Sequence, residues 1–363
     1  MVWLMDKDFT LKTPLTNDHI SENPEQFSNI SMLHLNEAFE APADLVKAGV
    51  AHSFDSLNRY PDIKRAALSR AVADNTGVEP KCQAWGSGAS DLLYRAFCAV
   101  KNAGKNAIAP TPTFWGYERI YGLTQVDIRR VEIRSDLQMH AADILAAVDE
   151  NTALVSVVTP GSPTGISMTE GDLLALAKGI PDDVLFLIDE VYFEFAKESL
   201  NAIELLRKHR TGHWAVIRSF SKAYALASAR IGYALCSSED VANRLIESGL
   251  NFPVSSLSFS AAHAVYTDPN FLTNMVTCIT QRRAWMHQQL EAMGLKPIPS
   301  DTNFISVKLP IPAPQALAIL KESKVLCSQW NHPSFPNYIR ITIGSEEANQ
   351  QFVNALSALL ESL

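Results

Sequence analysis

Trp214-Ala-Val-Ile-Arg-Ser219-Phe-Ser221-Lys222-Ala-Tyr-Ala-Leu-Ala-Ser-Ala-Arg230-Ile-Gly232 is the stretch from which the rest of the chain can be read. Trp214 to Ile217 is a short apolar run of the kind that forms a buried strand. Two hydroxyls then flank a lysine. An ammonium buried beside a strand end loses its proton more readily and becomes a nucleophilic amine, able to form a Schiff base; the ordinary alternative is a solvated surface lysine. Arg230 with Ser219 and Ser221 makes either a phosphate-binding set or a plain salt-bridging arginine.

Working outward, similar apolar runs recur at Asn106 to Pro110, Leu154 to Val158, Val184 to Ile188 and Ile231 to Cys236, separated by helical stretches. One such stretch is Ile63 to Asp74, closed by Gly77 as a C-cap. Apolar strands alternating with helices predict an α/β fold with a mostly parallel sheet covered on both faces. Ligands in such sheets sit beyond the carboxyl ends of the strands. Several polar residues fall there. Asp189 ends one run and Tyr192 follows it; the carboxylate either caps a helix or pairs with a buried ring cation such as a pyridinium. Gly86-Ser-Gly-Ala89-Ser90 opens a helix whose free amides could hold phosphate, although most such turns merely connect elements. Pro112-Thr-Phe114-Trp-Gly-Tyr117 is a core cluster or a platform for a flat ring. Arg340, mid-strand among apolar residues, wants an anion, either a substrate carboxylate or a structural partner.

Beyond Asn251 the pattern turns helical, with a run around Gln281 to Met293. Strand-like Asn303 to Val307 and Tyr338 to Ile343 follow, then a last helix near Asn349 to Leu360. The expected organisation is an N-terminal arm with part of a small domain (1–50), a large domain (51–255) and a small α+β domain (256–363). With 39 acidic against 31 basic side chains, a bulk nucleic-acid binder is not expected. Five scattered cysteines with no Cys/His cluster point to no metal site and no disulfide framework. The opening residues do not read as a signal peptide, and no apolar run is long enough to span a membrane. A cytoplasmic protein is the expectation.

Taken together, the phosphate turn, the stacking ring, the Pro-Thr-Gly loop, Asp189, Lys222, Arg230 and Arg340 resemble the fold-type-I pyridoxal-phosphate enzymes. Within these the chain is similar to the class I/II aminotransferases of the histidinol-phosphate aminotransferase subfamily. The resemblance runs from Asn36-Glu37 and Arg59-Tyr60-Pro61 to Arg340-Ile-Thr-Ile-Gly344, and implies a large domain with a seven-stranded-type sheet. It implies pyridoxal 5'-phosphate as cofactor, held covalently by Lys222, which also moves the substrate proton. Asp189 would keep the pyridine nitrogen protonated, Tyr192 and the loop residue Ser162 would face the ring hydroxyl, and Phe114 would stack on the ring. The amides of Ala89 and Ser90, with Ser219, Ser221 and Arg230, would hold the phosphate. Tyr60 would reach the phosphate in the partner subunit of a homodimer, Arg340 would grip the α-carboxylate of an amino acid or 2-oxo acid, and Asn36 would lie beside the substrate.

Two segments depart from that pattern. Ser162 stands where the family has an asparagine that donates to the ring hydroxyl. Ser328, in Lys324-Val-Leu-Cys-Ser328-Gln-Trp330, stands where histidinol-phosphate enzymes place a phosphate-binding arginine. Asn36-Glu37-Ala38-Phe39 is altered as well. A different substrate is therefore expected, with Phe39, Trp85 and Trp330 hinting at an apolar or aromatic one. A decarboxylase, lyase or cyclase on the same scaffold is the alternative activity, and a non-catalytic cofactor-binding module a more distant one.

Overall fold

The computed structural model describes residues 29–102, 104–197 and 200–363; most of the expected N-terminal arm lies outside them. The strands in chain order are β1 (Ser31–Met32), β2 (Gln83–Gly86), β3 (Asn106–Thr111), β4 (Asp127–Glu132), β5 (Thr152–Val158) and β6 (Leu185–Asp189). Then come β7 (Trp214–Ser219), β8 (Gly232–Cys236), β9 (Phe304–Lys308), β10 (Val325–Leu326), β11 (Ser328–Gln329) and β12 (Tyr338–Thr342).

Seven of them form one sheet in the order β2-β8-β7-β6-β5-β3-β4. The pairs from β7 through to β4 are parallel, while β8 runs antiparallel to both β7 and β2. The apolar runs form strands because both faces of the sheet are covered. Along β6, Phe186 and Ile188 enter one core and Leu187 enters the other, as a two-residue period requires. One face is covered by helices Ala89–Asn102, Gly116–Thr124 and Glu239–Glu247, through Leu92, Phe97, Ile120 and Leu245. The other face is covered by Asp62–Thr76, Glu170–Gly179, Ala202–His209 and Ser256–Thr267, through Leu68, Leu173, Leu206 and Phe259. Gly77 caps its helix in the left-handed region (φ 67°), and its N–H donates to the Ala73 carbonyl at 2.7 Å.

A third core joins the antiparallel sheet β11-β12-β9 to helices Phe271–Ala292, Ala313–Glu322 and Glu346–Glu361. β1 pairs with β10 beside it. Tyr192 and Phe195, immediately downstream of β6, insert into this third core and tie it to the end of the large sheet. Among the described residues no helix is long and apolar enough to cross a membrane.

Candidate active site

The polar ends of β6 and β7, Arg340 in the middle of β12 and the N-terminus of helix Ala89–Asn102 converge on a cavity of about 570 Å³. That volume suits a small molecule together with a cofactor. Twelve residues singled out in the sequence line it: Asn36, Ala89, Ser90, Phe114, Ser162, Asp189, Tyr192, Ser219, Ser221, Lys222, Arg230 and Arg340. Tyr60 does not line it. Its ring is 76% exposed and stacks on Phe252 with centroids 4.3 Å apart.

At one end the backbone forms a cradle. Gly88 is left-handed (φ +79°), and a Cβ there would lie 2.5 Å from Arg230 Nη2. A Cβ at Gly232 would lie 2.7 Å from the Ala89 amide nitrogen, so the antiparallel strand β8 can press on this turn only as glycine. Asp91 accepts from the Ser87 amide at 2.8 Å and from Arg95, fixing the turn from behind. Arg230 donates to neutral oxygens, at 2.9 Å to the Ala227 carbonyl, 3.4 Å to that of Ser87 and 3.5 Å to Ser221 Oγ. Among the described residues no carboxylate pairs with it, and it lies beside the amides that open a helix, an arrangement that binds phosphate.

Asp189 is fully buried at the end of β6, and burial pushes its carboxyl up to about 7 despite donation from the Val191 amide at 3.2 Å and from Tyr117. The carboxyl is held where a cation placed beside it would ionise it. The neighbouring Glu190 turns to the opposite side of the strand and is neutralised by Arg218, 2.8 Å away. Lys222 is half-buried and donates to the Leu35 carbonyl at 2.8 Å. Burial, with the cations Arg340 and Arg230 nearby, pulls its ammonium down to about 7. The amine is therefore available as a nucleophile and base near neutrality.

These two shifts have opposite consequences for stability in the cofactor-free protein. Folded Asp189 holds a proton that the unfolded chain releases above about 4, so its contribution falls as pH rises from about 4 to about 7. Folded Lys222 has lost a proton that the unfolded chain keeps to about 10.5, so its contribution rises from about 7 upward. Asp189→Asn removes the first slope. The melting temperature of the cofactor-free variant relative to wild type is expected to climb between pH 4 and 7 and level off above. A difference that stays constant across that range would contradict the buried-carboxyl reading.

The other end of the cavity is set by the third core. Arg340 is buried, 5.3 Å over the Phe304 ring, and donates at 2.8 Å to the His34 carbonyl and at 3.4 Å to Ser162 and Ser328 hydroxyls. Its Nε has no hydrogen-bond partner among the described residues. Asn36 Nδ2 donates to Tyr192 Oη at 2.8 Å. The three rings taken as hints of the substrate lie elsewhere. Trp85 packs between Tyr233 and Phe259, Trp330 stacks on Tyr338 and donates to Ser306, and Phe39 covers Arg282. The apolar wall of the cavity comes instead from Leu35, Leu93, Tyr94, Trp115, Ile120 and Leu123.

Sequence reasoning passed over the Leu35 carbonyl, and it read Tyr117 only as one ring of the Phe114 turn, without linking it to Asp189. Tyr117 is fully buried and shares a 3.0 Å hydrogen bond with Ser156 beside Asp189. Tyr117 lies in the first turn of helix Gly116–Thr124, which directs it into the core beneath the sheet's end rather than into the cavity beside Phe114.

A family model described as aminotransferase class I and II matches residues 27–356. The histidinol-phosphate aminotransferase of Geobacillus thermodenitrificans (strain NG80-2) is 31% identical over 343 residues, covering 92% of this chain and 91% of that one. That of Bacillus subtilis subsp. natto is 30% identical, covering 88% of each. The crystal structure of histidinol-phosphate aminotransferase from Sinorhizobium meliloti in complex with pyridoxal-5'-phosphate superposes with a TM-score of 0.82 at 25% identity, covering 98% and 99%. A family model matched over most of the chain, together with relatives about 30% identical along nearly their whole length, shows that the chain belongs to the class I and II aminotransferases.

Proposed function

We propose that the protein is a pyridoxal-phosphate transaminase for an amino acid and a 2-oxo acid with an apolar or aromatic side chain rather than histidinol phosphate. The observation that carries this is Arg340, a buried guanidinium with an unpartnered Nε beside Lys222 and Asp189. Such a group is matched by an α-carboxylate accepting two parallel hydrogen bonds.

The residues fit the cofactor. The glycine cradle and Arg230 suit its phosphate, with Ala89, Ser90, Ser219 and Ser221 around it. Phe114 would cover the ring, Asp189 would meet the pyridine nitrogen, and Tyr192 and Ser162 would face the ring hydroxyl. When bound, the cofactor supplies a cationic ring that accepts the electron pair left as the substrate Cα–H bond breaks. Asp189 would then be held ionised by the ring cation. Arg340 would fix the carboxylate and so orient Cα. Lys222 Nζ, whose ammonium burial and the nearby cations Arg340 and Arg230 make easier to deprotonate, would take the proton from Cα and return it.

Ser328, opposite Arg340 in the β11–β12 register, donates to the His34 carbonyl at 2.6 Å and accepts from Arg340, so this position brings no cation to the cavity for a substrate phosphate. The wall of Leu93, Tyr94, Ile120 and Leu123 suits carbon. The test is single-turnover titration of the cofactor-loaded protein with individual amino acids and histidinol phosphate, followed by visible absorbance. Conversion to the aminated cofactor by aromatic or large apolar amino acids, with little by histidinol phosphate, is the expected result. The reverse preference would overturn the substrate reading, and release of carbon dioxide would replace transamination by decarboxylation.

The proposed unit is a homodimer. Phe54, Leu57, Tyr60, Leu250 and Phe252 are each more than half exposed, a concentration of apolar side chains that a second copy of the chain would cover. Tyr60 would then reach the partner's phosphate cradle. Mixed dimers of Tyr60→Ala and Lys222→Ala chains are expected to regain up to half of wild-type activity, because one of the two sites is then intact. Recovery no better than Tyr60→Ala alone would place Tyr60 in its own subunit's site or in none.

A further inference from the structure

Asn36 is held more completely than a substrate-facing side chain needs to be. Its backbone lies in the left-handed region (φ 54°), which asparagine tolerates better than most residues. Its N–H donates to Thr342 Oγ1 at 2.9 Å, and its carbonyl accepts from Asn303 Nδ2 at 3.0 Å. Thr342 Oγ1 donates at 3.2 Å to Asn36 Oδ1. The amide is thereby turned so that Nδ2 points at Tyr192 Oη, 2.8 Å away. Every polar group of Asn36 is used, and all of them are buried.

The consequence falls on Tyr192. Its oxygen accepts from Asn36, which leaves its own proton to donate; burial raises this phenol, and Arg340, Asn36 and a hydrogen bond with Ser162 counter that rise. A phenol that accepts a hydrogen bond is a stronger donor, because the accepted proton stabilises the negative charge building on its oxygen. The loop opposite contributes the short hydroxyl of Ser162, which accepts from Arg340 at 3.4 Å.

We propose that Asn36 is the positioning residue that orients and acidifies the Tyr192 hydroxyl, supplying through Tyr192 the polarisation of the cofactor's ring oxygen that Ser162 is too short to give. This rests on the reading that Tyr192 faces that oxygen. Donors to the ring oxygen compete for it with the protonated nitrogen linking Lys222 to the cofactor, so weakening a donor raises the pH at which that nitrogen loses its proton.

Asn36→Gly is the informative variant, since glycine adopts the left-handed backbone freely and removes only the amide. The measurement is the pH midpoint of the visible absorbance transition of the cofactor-loaded protein, in wild type, Asn36→Gly, Tyr192→Phe and the double variant. Asn36→Gly is expected to raise the midpoint by about one unit. Tyr192→Phe should raise it at least as far, and the double variant no further than Tyr192→Phe alone. A purely structural role would lower the melting temperature and leave the midpoint in place. An unmoved midpoint in Asn36→Gly with a shifted one in Tyr192→Phe overturns the role of Asn36 alone. Unmoved midpoints in both overturn it together with the placement of Tyr192. Additive shifts would show that Asn36 acts without Tyr192, and would also overturn it.

Discussion

Lys222→Ala is expected to lower transamination by about 10⁴-fold or more, the scale of losing a positioned general base together with a covalent anchor. The loss should appear in turnover rather than in substrate affinity, because the carboxylate grip of Arg340 is untouched. Stability should move the other way. The folded protein holds this ammonium under a penalty from burial and from Arg340 and Arg230, and sheds its proton around pH 7 rather than near 10.5. Removing it relieves the penalty. The cofactor-free variant should therefore melt no lower than wild type, with the advantage largest below pH 7 and fading toward pH 10. Steady-state kinetics and a melting series across pH check both halves. Normal turnover in the variant would remove Lys222 from the mechanism. A large drop in melting temperature would mean that the Leu35 hydrogen bond outweighs desolvation.

Much of this site could be read from the chain because chemistry and strand ends coincide. The runs ending at Asp189 and Ser219 are apolar on both faces, since helices cover both sides, and their first polar residues mark where the sheet stops. That rule failed for β4. Asp127, Arg129, Arg130 and Glu132 are charged because the strand is the sheet's edge, where exposed charge discourages pairing with another chain. Here it also recruits Arg130 to Glu118 at 2.7 Å. A strand with that sequence carries no apolar period to detect. The two-residue strands β1, β10 and β11 are too short for any pattern, and they exist because the third core brings them together.

The site was illegible in the same way wherever it depends on distant segments. Asn36 and Thr342 are far apart in sequence, and nothing local says that their side chains close a hydrogen-bonded box. The Leu35 carbonyl is a backbone group, and its place opposite Lys222 follows from the path of the chain after β1. Conversely, Trp85 and Trp330 looked like ligand rings only because aromatic residues are equally at home in a core. Burial decided the matter.

Arg340→Met is expected to raise the apparent Kd and KM for amino acids and 2-oxo acids by about 10²- to 10³-fold, the scale of losing a desolvated, charge-assisted pair with a carboxylate. An amine of the same side chain without the carboxylate should lose nothing, so the discrimination between the two collapses. The structural argument lies in what Arg340 lacks. Its partners are one carbonyl and two hydroxyls, its Nε is idle, and burial pulls its guanidinium below the ordinary value. A buried charge without a counter-ion costs stability. Met fills a comparable volume with no charge, so the unliganded variant should be as stable as wild type or more so. Wild type, in contrast, should gain several degrees on adding a non-reactive carboxylate that the variant ignores. An arginine placed for the fold would behave oppositely on both counts, with Arg340→Met melting early and binding carboxylates as before. Binding isotherms and melting curves with and without the carboxylate distinguish the two, since a residue kept for its ligand is paired only when the ligand arrives.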